Sequence, residues 1–234
     1  MHIVCAGSDS LSSIHRGMLE MNCDNITSMK HKRDILTCDN SLQNTTDIEI
    51  RTLLRAHISN ELANYPHRFR VIEELGVNHG NARIDIAVIN GVMHGYEIKS
   101  DLDTFYRLSA QITAYNAIFD EMTIVVGLSH LLAAIEIVPD WWGVMVARKL
   151  PDGKLKLNTI RSSEKNAGQD LVAVSRLLWR DEALSFLEDV NAAAGVRAKS
   201  RGEIYSRLVN SVDGDLLKER VRNVLCERSS WRVA

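Results

Sequence analysis

The sequence has no surplus of either charge: 28 Lys and Arg against 30 Asp and Glu leave a formal net charge of -2. A coat that grips nucleic acid through bulk positive charge is therefore excluded, and any DNA contact must come from local patches that the average hides. Cysteine is sparse. Cys5, Cys23, Cys38 and Cys226 stand far apart with no CxxC pair and no adjoining histidine set, which argues against a structural zinc site or a disulfide scaffold and fits a reducing cytoplasm. No stretch approaches the roughly eighteen apolar residues of a membrane span, and the opening MHIVCAGSDSLSS lacks the basic start and apolar run of an export signal. The eight histidines show no paired metal spacing. His79, His94 and His130 fall in or near loops and read as polar surface.

What is present is enough for a core: 234 residues, 45% of them hydrophobic, suffice for one ordinary domain plus an appendage. Residues 1–44 are rich in Ser, Asn, Asp and Thr without sustained periodicity and read as a disordered arm. A Thr46 or Asp47 cap then opens a helix with Ile50, Leu53, Leu54, His57, Ile58 and Leu62 at helical spacing, closed by Pro66. FRVIEELGV, ARIDIAVING and GVMHGYEIKS, punctuated by Gly and Asn, read as three strands. The segment DTFYRLSAQITAYNAIFDE predicts a helix with Leu108, Ile112, Tyr115 and Phe119 on one face. TIVVGL predicts a strand buried on both sides. A short helix at HLLAAIEI and a hairpin of WWGVMVARKL and KLKLNTI around Pro151-Asp152-Gly153 complete this part. From about residue 167 the chain reads as helical again: one long run over AGQDLVAVSRLLWRDEALSFLEDVNAA, then GEIYSRLVN and DGDLLKERVRNVLCER. The expected class is α/β, with a domain over 45–162 and a separate helical module over 167–234.

Strand alternation carries the chemistry. In ARIDIAVI, Ile84, Ile86 and Val88 share one face while Arg83 and Asp85 share the other; in YEIK, Glu97 and Lys99 point together. Acids in mid-strand run against β propensity, and two such departures on adjacent strands suggest a site. Two carboxylates can hold a divalent cation that lowers the pKa of a bound water and offsets phosphate charge, as phosphodiester hydrolysis requires. Hard oxygen ligands suit Mg²⁺. Asp85 and Glu97 are the expected ligands, helped by the Ile98 carbonyl, and Lys99 is expected to orient the attacking water.

The frame E-L-x-x-x-x-G-x-x-R-x-D, running from Glu74 and Leu75 through Arg83 to Asp85, is followed by G-Y-E-I-K-S, D-L-D-T-F-Y-R-L-S-A-Q-I-T-A-Y-N and P-D-W-W-G. Together these resemble the PD-(D/E)XK nuclease superfamily over roughly residues 47–160, and in particular a largely uncharacterised, sce-type bacterial branch of it. The pattern departs from the superfamily where Ile84 replaces the Pro before the first acid. The resemblance implies a restriction-endonuclease-like core, a mixed central sheet flanked by helices, with Mg²⁺ or Mn²⁺ dependence and DNA cleavage. It also offers Glu74 as an outer metal ligand, with Glu61 or Glu49 as alternatives.

On the helix after Lys99, Arg107, Gln111 and Tyr115 form an i, i+4 stripe, and the Gln-xxx-Tyr pair resembles the motif of RecB-type members that supports the site. Tyr115 reads equally as core. Asp101 and Asp103 could orient Lys99 or cap the helix, and capping is the more economical reading for Asp103. Trp141 and Trp142 read as packing residues. Near the C-terminus, a helix, a basic extended link and a second helix faintly resemble the SAP-type DNA-binding module. Arg197, Lys199, Arg201 and Arg207 could grip a phosphate backbone without reading bases; a solvated packing module fits as well. The expectation is a bacterial or phage-type cytoplasmic endonuclease acting on DNA in repair, recombination or defence, with no membrane contact, working as a homodimer or in a larger complex. Its rival is a catalytically inactive nuclease-fold protein that binds DNA or regulates.

Overall fold

Thr46 sets the start of the first helix in a computed structural model that describes residues 44–229. Its hydroxyl accepts from the Glu49 N–H at 3.4 Å while the Glu49 carboxylate accepts from the Thr46 N–H at 2.9 Å, a reciprocal cap for two otherwise unpaired donors. Helix α1 (Asp47–Leu62) follows and buries Ile50, Leu54, Ile58 and Leu62. Each such side chain contributes about 1.5–3 kcal/mol on leaving water. The arm expected over 1–44 lies, but for its last residue, outside the described residues.

Strands β1 (Arg70–Val77), β2 (Ala82–Ile89), β3 (Met93–Lys99), β4 (Glu121–Gly127), β5 (Gly143–Lys149) and β6 (Leu155–Arg161) form one sheet in that order. The first three pair antiparallel, β3, β4 and β5 pair parallel, and β6 returns antiparallel. The two parallel steps carry helices α2 (Leu108–Asn116) and α3 (Leu131–Ile137), as a crossover between parallel strands requires. The mixed sheet flanked by helices agrees with the α/β class.

The sheet is covered on both faces. Ile86, Val88, Tyr96, Ile98, Val125 and Met145 meet α1, while Ala87, Ile89, Met93, Ile124 and Val144 face a larger core. That larger core also holds Val174, Phe186, Ile204, Leu208, Val221 and Leu225 from α4 (Leu171–Ser175), α5 (Arg180–Asp189), α6 (Arg201–Ser211) and α7 (Gly214–Glu227). The expectation of a separate module over 167–234 is thus corrected: short amphipathic helices bury too little area among themselves and share the core of the sheet. Asn166 ties the link down, its amide donating to the carbonyls of Asn116 and Phe119 at 2.7 and 2.9 Å.

Other departures are local. The helix expected over DTFYRLSAQITAYNAIFDE covers only Leu108–Asn116. The long C-terminal run breaks before Arg180, where Trp179 turns extended and its N–H is taken by Glu182 at 2.6 Å. The basic link before α6 folds as consecutive turns and is not extended.

Candidate active site

Strands β2 and β3 separate at Asp85 and Glu97. Their ladder runs from Ile89 opposite Met93 to Ile86 opposite Tyr96 and ends there. One residue further on, the Asp85 carboxylate takes the place of a ladder carbonyl: Oδ2 accepts the Ile98 N–H at 2.7 Å. Across the other edge of β2 the register puts Glu74 opposite Asp85, but Glu74 has φ 55 and the regular pairing skips it. A non-glycine residue in the left-handed region inside a strand is strained. The β1–β2 ribbon changes course here, and Ile84 packs in the larger core instead of beside Ile86 and Val88. The shared face expected for these three residues is corrected accordingly.

Glu97 and Lys99 share the α2 face, as alternation predicts. Glu97 is buried, at 1% exposure. Its Oε1 accepts from Lys99 Nζ and from Gln111 Nε2, and Oε2 lies 2.9 Å from the Tyr115 hydroxyl. That hydroxyl is also 2.7 Å from the Arg83 carbonyl; with a single proton it donates to one of the two at a time while accepting from Gln111 at 3.2 Å. Burial, and then the charge of Asp85, push the Glu97 carboxyl above the usual range, with Lys99 opposing. Burial and then Glu97 raise the Tyr115 phenol. The α2 stripe thus meets the ExK strand through Gln111 and Tyr115, and Tyr115 is core as well, stacked on buried Trp142 at 6.3 Å. Gly95, two residues before Glu97, leaves room for Met122 and Phe119, since a Cβ there would meet Met122 Sδ at 2.5 Å and the Phe119 ring at 3.2 Å.

One residue that the sequence reading passed over stands at the centre. Arg51 of α1 reaches Asp85 Oδ1 at 2.8 Å, the Asp85 carbonyl at 3.2 Å, Glu74 Oε1 at 3.1 Å and Asp47 Oδ1 at 3.2 Å. Its i, i+4 spacing from Asp47 was legible; its reach to Asp85 was not. Of the candidate auxiliary acids, Glu74 shares this guanidinium with Asp85 and also accepts from Arg83 at 2.7 Å. Glu49 pairs with Lys149, and Glu61 with His57.

Asp101 and Asp103 do neither thing expected of them. Asp101 accepts from the N–H and hydroxyl of Thr45 and from those of Ser129, four contacts of 2.6–2.9 Å. Burial opposes its charge, but these bonds hold its carboxyl below the usual range. Asp103 closes a turn on Ser100, and α2 begins only at Leu108. Arg107 is exposed at the start of α2. His94 is not polar surface: it stacks on Tyr96 at 4.2 Å, contacts Thr123 at 2.9 Å, and burial lowers its pKa to about 4.

Among the described residues no three of His, Cys, Asp and Glu gather as a metal-holding group. The chemistry of the donors nevertheless fits a hard cation. Asp85 and Glu97 are close enough to repel, and the amide oxygen of Gln111 beside them is buried without a hydrogen-bond partner. Small, strongly hydrated Mg²⁺ needs few protein oxygens.

In the C-terminal patch Arg197 pairs with Glu188 at 3.0 Å and Lys199 with Glu203 at 3.4 Å. Arg201 and Arg207 are exposed and form no ion pair among the described residues. Two acids thus offset two of the four cations.

The fold and this buried charge cluster define an α/β protein whose two central acids meet where strands part. The chain belongs to the bacteriophage P4 protein cII family, whose family model matches residues 43–232. Protein cII of Enterobacteria phage P4 is 38% identical over 55 residues, 24% of this chain and 21% of that protein, so the matched segment spans about a fifth of the relative. Among solved structures, a protein of unknown function from Silicibacter pomeroyi, SPO1766, aligns with 51% of this chain and 75% of its own, at 19% identity and a TM-score of 0.35.

Proposed function

We propose that the protein is a metal-dependent DNA endonuclease of PD-(D/E)XK type, hydrolysing phosphodiester bonds with Asp85, Glu97 and Lys99. The observation that carries this reading is their meeting at the strand fork, with Glu97 buried beside Lys99 and braced by Gln111 and Tyr115. A buried carboxylate and ammonium are costly unless their remaining hydrogen-bonding capacity is filled. Structural need alone would be met by apolar residues of similar size, so the retained pair suggests chemistry. Asp85, Glu97 and the Gln111 amide oxygen would hold Mg²⁺ or Mn²⁺, which when bound lowers the pKa of water and offsets phosphate charge. Lys99 would orient the attacking water and donate to the phosphate oxygens as negative charge builds on them. Tyr115 and Gln111 would keep Glu97 aimed.

A second reading, a nuclease-fold protein that binds DNA or regulates without cutting, is favoured by one observation. The Asp85 and Glu97 oxygens already accept from Arg51, Ile98, Lys99, Gln111 and Tyr115, a self-satisfied network that could serve as a structural pin. The test is cleavage of supercoiled, linear, branched and single-stranded DNA with Mg²⁺ or Mn²⁺, beside Asp85→Ala and Lys99→Ala. Loss of cleavage by about a hundredfold or more in both variants supports the enzyme. No cleavage by the unaltered protein, with salt-sensitive DNA binding unchanged in both variants, selects the second reading.

A further inference from the structure

We infer that Arg51 is a built-in counter-ion of the site, holding Asp85 in a closed state from which a divalent cation must displace it. The inference rests on the metal-dependent reading above. Arg51 and Asp85 are each 18% exposed, and their 2.8 Å contact occupies Oδ1, the Asp85 oxygen that Ile98 leaves open. A metal ion at Oδ1 and the guanidinium cannot share that position, because two positive charges a few ångströms apart in a half-buried site repel strongly.

The surroundings allow an exchange. Asp85 keeps its Oδ2 bond to the Ile98 N–H when Arg51 leaves, so its carboxylate stays aimed at the fork. Arg51 in turn keeps Asp47, one helical turn back, and Glu74, whose carboxylate is fixed from the other side by Arg83. These two further anchors mean that giving up Asp85 does not strand the guanidinium. Glu74, at φ 55, holds its unusual backbone where its carboxylate meets both arginines. A plain strut that orients Asp85 would need only the Asp85 contact.

The two roles differ in sign. A strut, once removed, leaves Asp85 less well aimed and weakens metal binding; a counter-ion, once removed, frees Oδ1 and tightens it. The experiment titrates Mn²⁺ into the full chain and follows free Mn²⁺ by electron paramagnetic resonance, for the unaltered protein, Arg51→Met, Arg51→Gln and Asp85→Asn, with circular dichroism to verify folding. Arg51→Gln keeps hydrogen-bonding capacity and serves where the Met variant does not fold. The expected result is binding at least about tenfold tighter in the Arg51 variants and lost in Asp85→Asn. Mn²⁺ binding by the unaltered protein that is equal or weaker in the Arg51 variants overturns the counter-ion role and leaves the metal reading standing. Absence of Mn²⁺ binding in all four proteins overturns both.

Discussion

Gly127 and Asp101 are in direct contact across the ends of β4 and β3: a Cβ at 127 would fall 2.4 Å from the Asp101 carboxyl carbon. The missing side chain lets Asp101 sit between Thr45 and Ser129. It thereby joins the approach to α1, the end of the ExK strand and the turn after β4.

Gly127→Ala and Asp101→Ala should therefore share the loss of the Asp101 carboxylate contacts. Losing hydrogen bonds to a charged group costs about 1.5–3 kcal/mol, and urea unfolding should show destabilisation of that order in each. The double variant should lose less than the sum of the two, since the carboxylate contacts are shared, while the clash of a Cβ at 127 with the Asp101 backbone nitrogen, 2.6 Å away, remains. Additive losses would show that Gly127→Ala acts through a contact other than the Asp101 carboxylate, such as the backbone nitrogen.

Tyr115→Phe removes only a hydroxyl, yet leaves an Oε2 contact of Glu97 unfilled in a buried place. An unsatisfied buried acceptor costs about 1–3 kcal/mol, and denaturant midpoints should record that loss. Cleavage, if present, should fall together with stability, because Glu97 loses part of its aim. Unchanged stability would mean that water replaces the phenol.

His94 makes the protein sensitive to acid in a defined window. Its ring has a pKa lowered to about 4 by burial, so between the ordinary histidine range and about 4 the unfolded chain binds a proton that the folded chain does not. Stability should then fall as pH drops through that window, by up to about 3 kcal/mol from this group. In His94→Gln, which can still meet Thr123, thermal melts from pH 7 to 4 should lose this slope; an unchanged slope would assign it to other groups.

Arg201 and Arg207 are the cations of the C-terminal patch that form no ion pair among the described residues. If that patch grips DNA, replacing both with Ala should weaken binding about equally for unrelated sequences. It should also reduce the slope of log K against log salt by about 2. Fluorescence anisotropy at several salt concentrations measures both, and an unchanged slope would remove the patch from the interface.

The six strands, α1 and the hairpin were legible in the sequence because their signals are local: alternation, helical spacing, the Thr46 cap, the turn at Pro151-Asp152-Gly153. So was the pairing of Glu97 with Lys99, which follows from two-residue alternation within one strand. The true extent of α2 was less legible, since Phe105 and Tyr106 continue its apolar texture ahead of Leu108, where the helix begins. The independence of the C-terminal helices was misread for a related reason. Amphipathicity shows that a face must be buried, but not against what.

By itself, then, the sequence determined the six strands, α1 and their order, and that Asp85, Glu97 and Lys99 sit on neighbouring strands, because those outcomes depend on residues a few positions apart. Only the tertiary structure decided that Arg51, 34 positions before Asp85, closes over it, and that Asp101 binds Thr45 across 56 positions. It also decided that the larger core takes in four C-terminal helices. Those contacts depend on where α1 and the C-terminal helices lie on the sheet, which is set by the packing of whole faces and has no signature in any short stretch of chain.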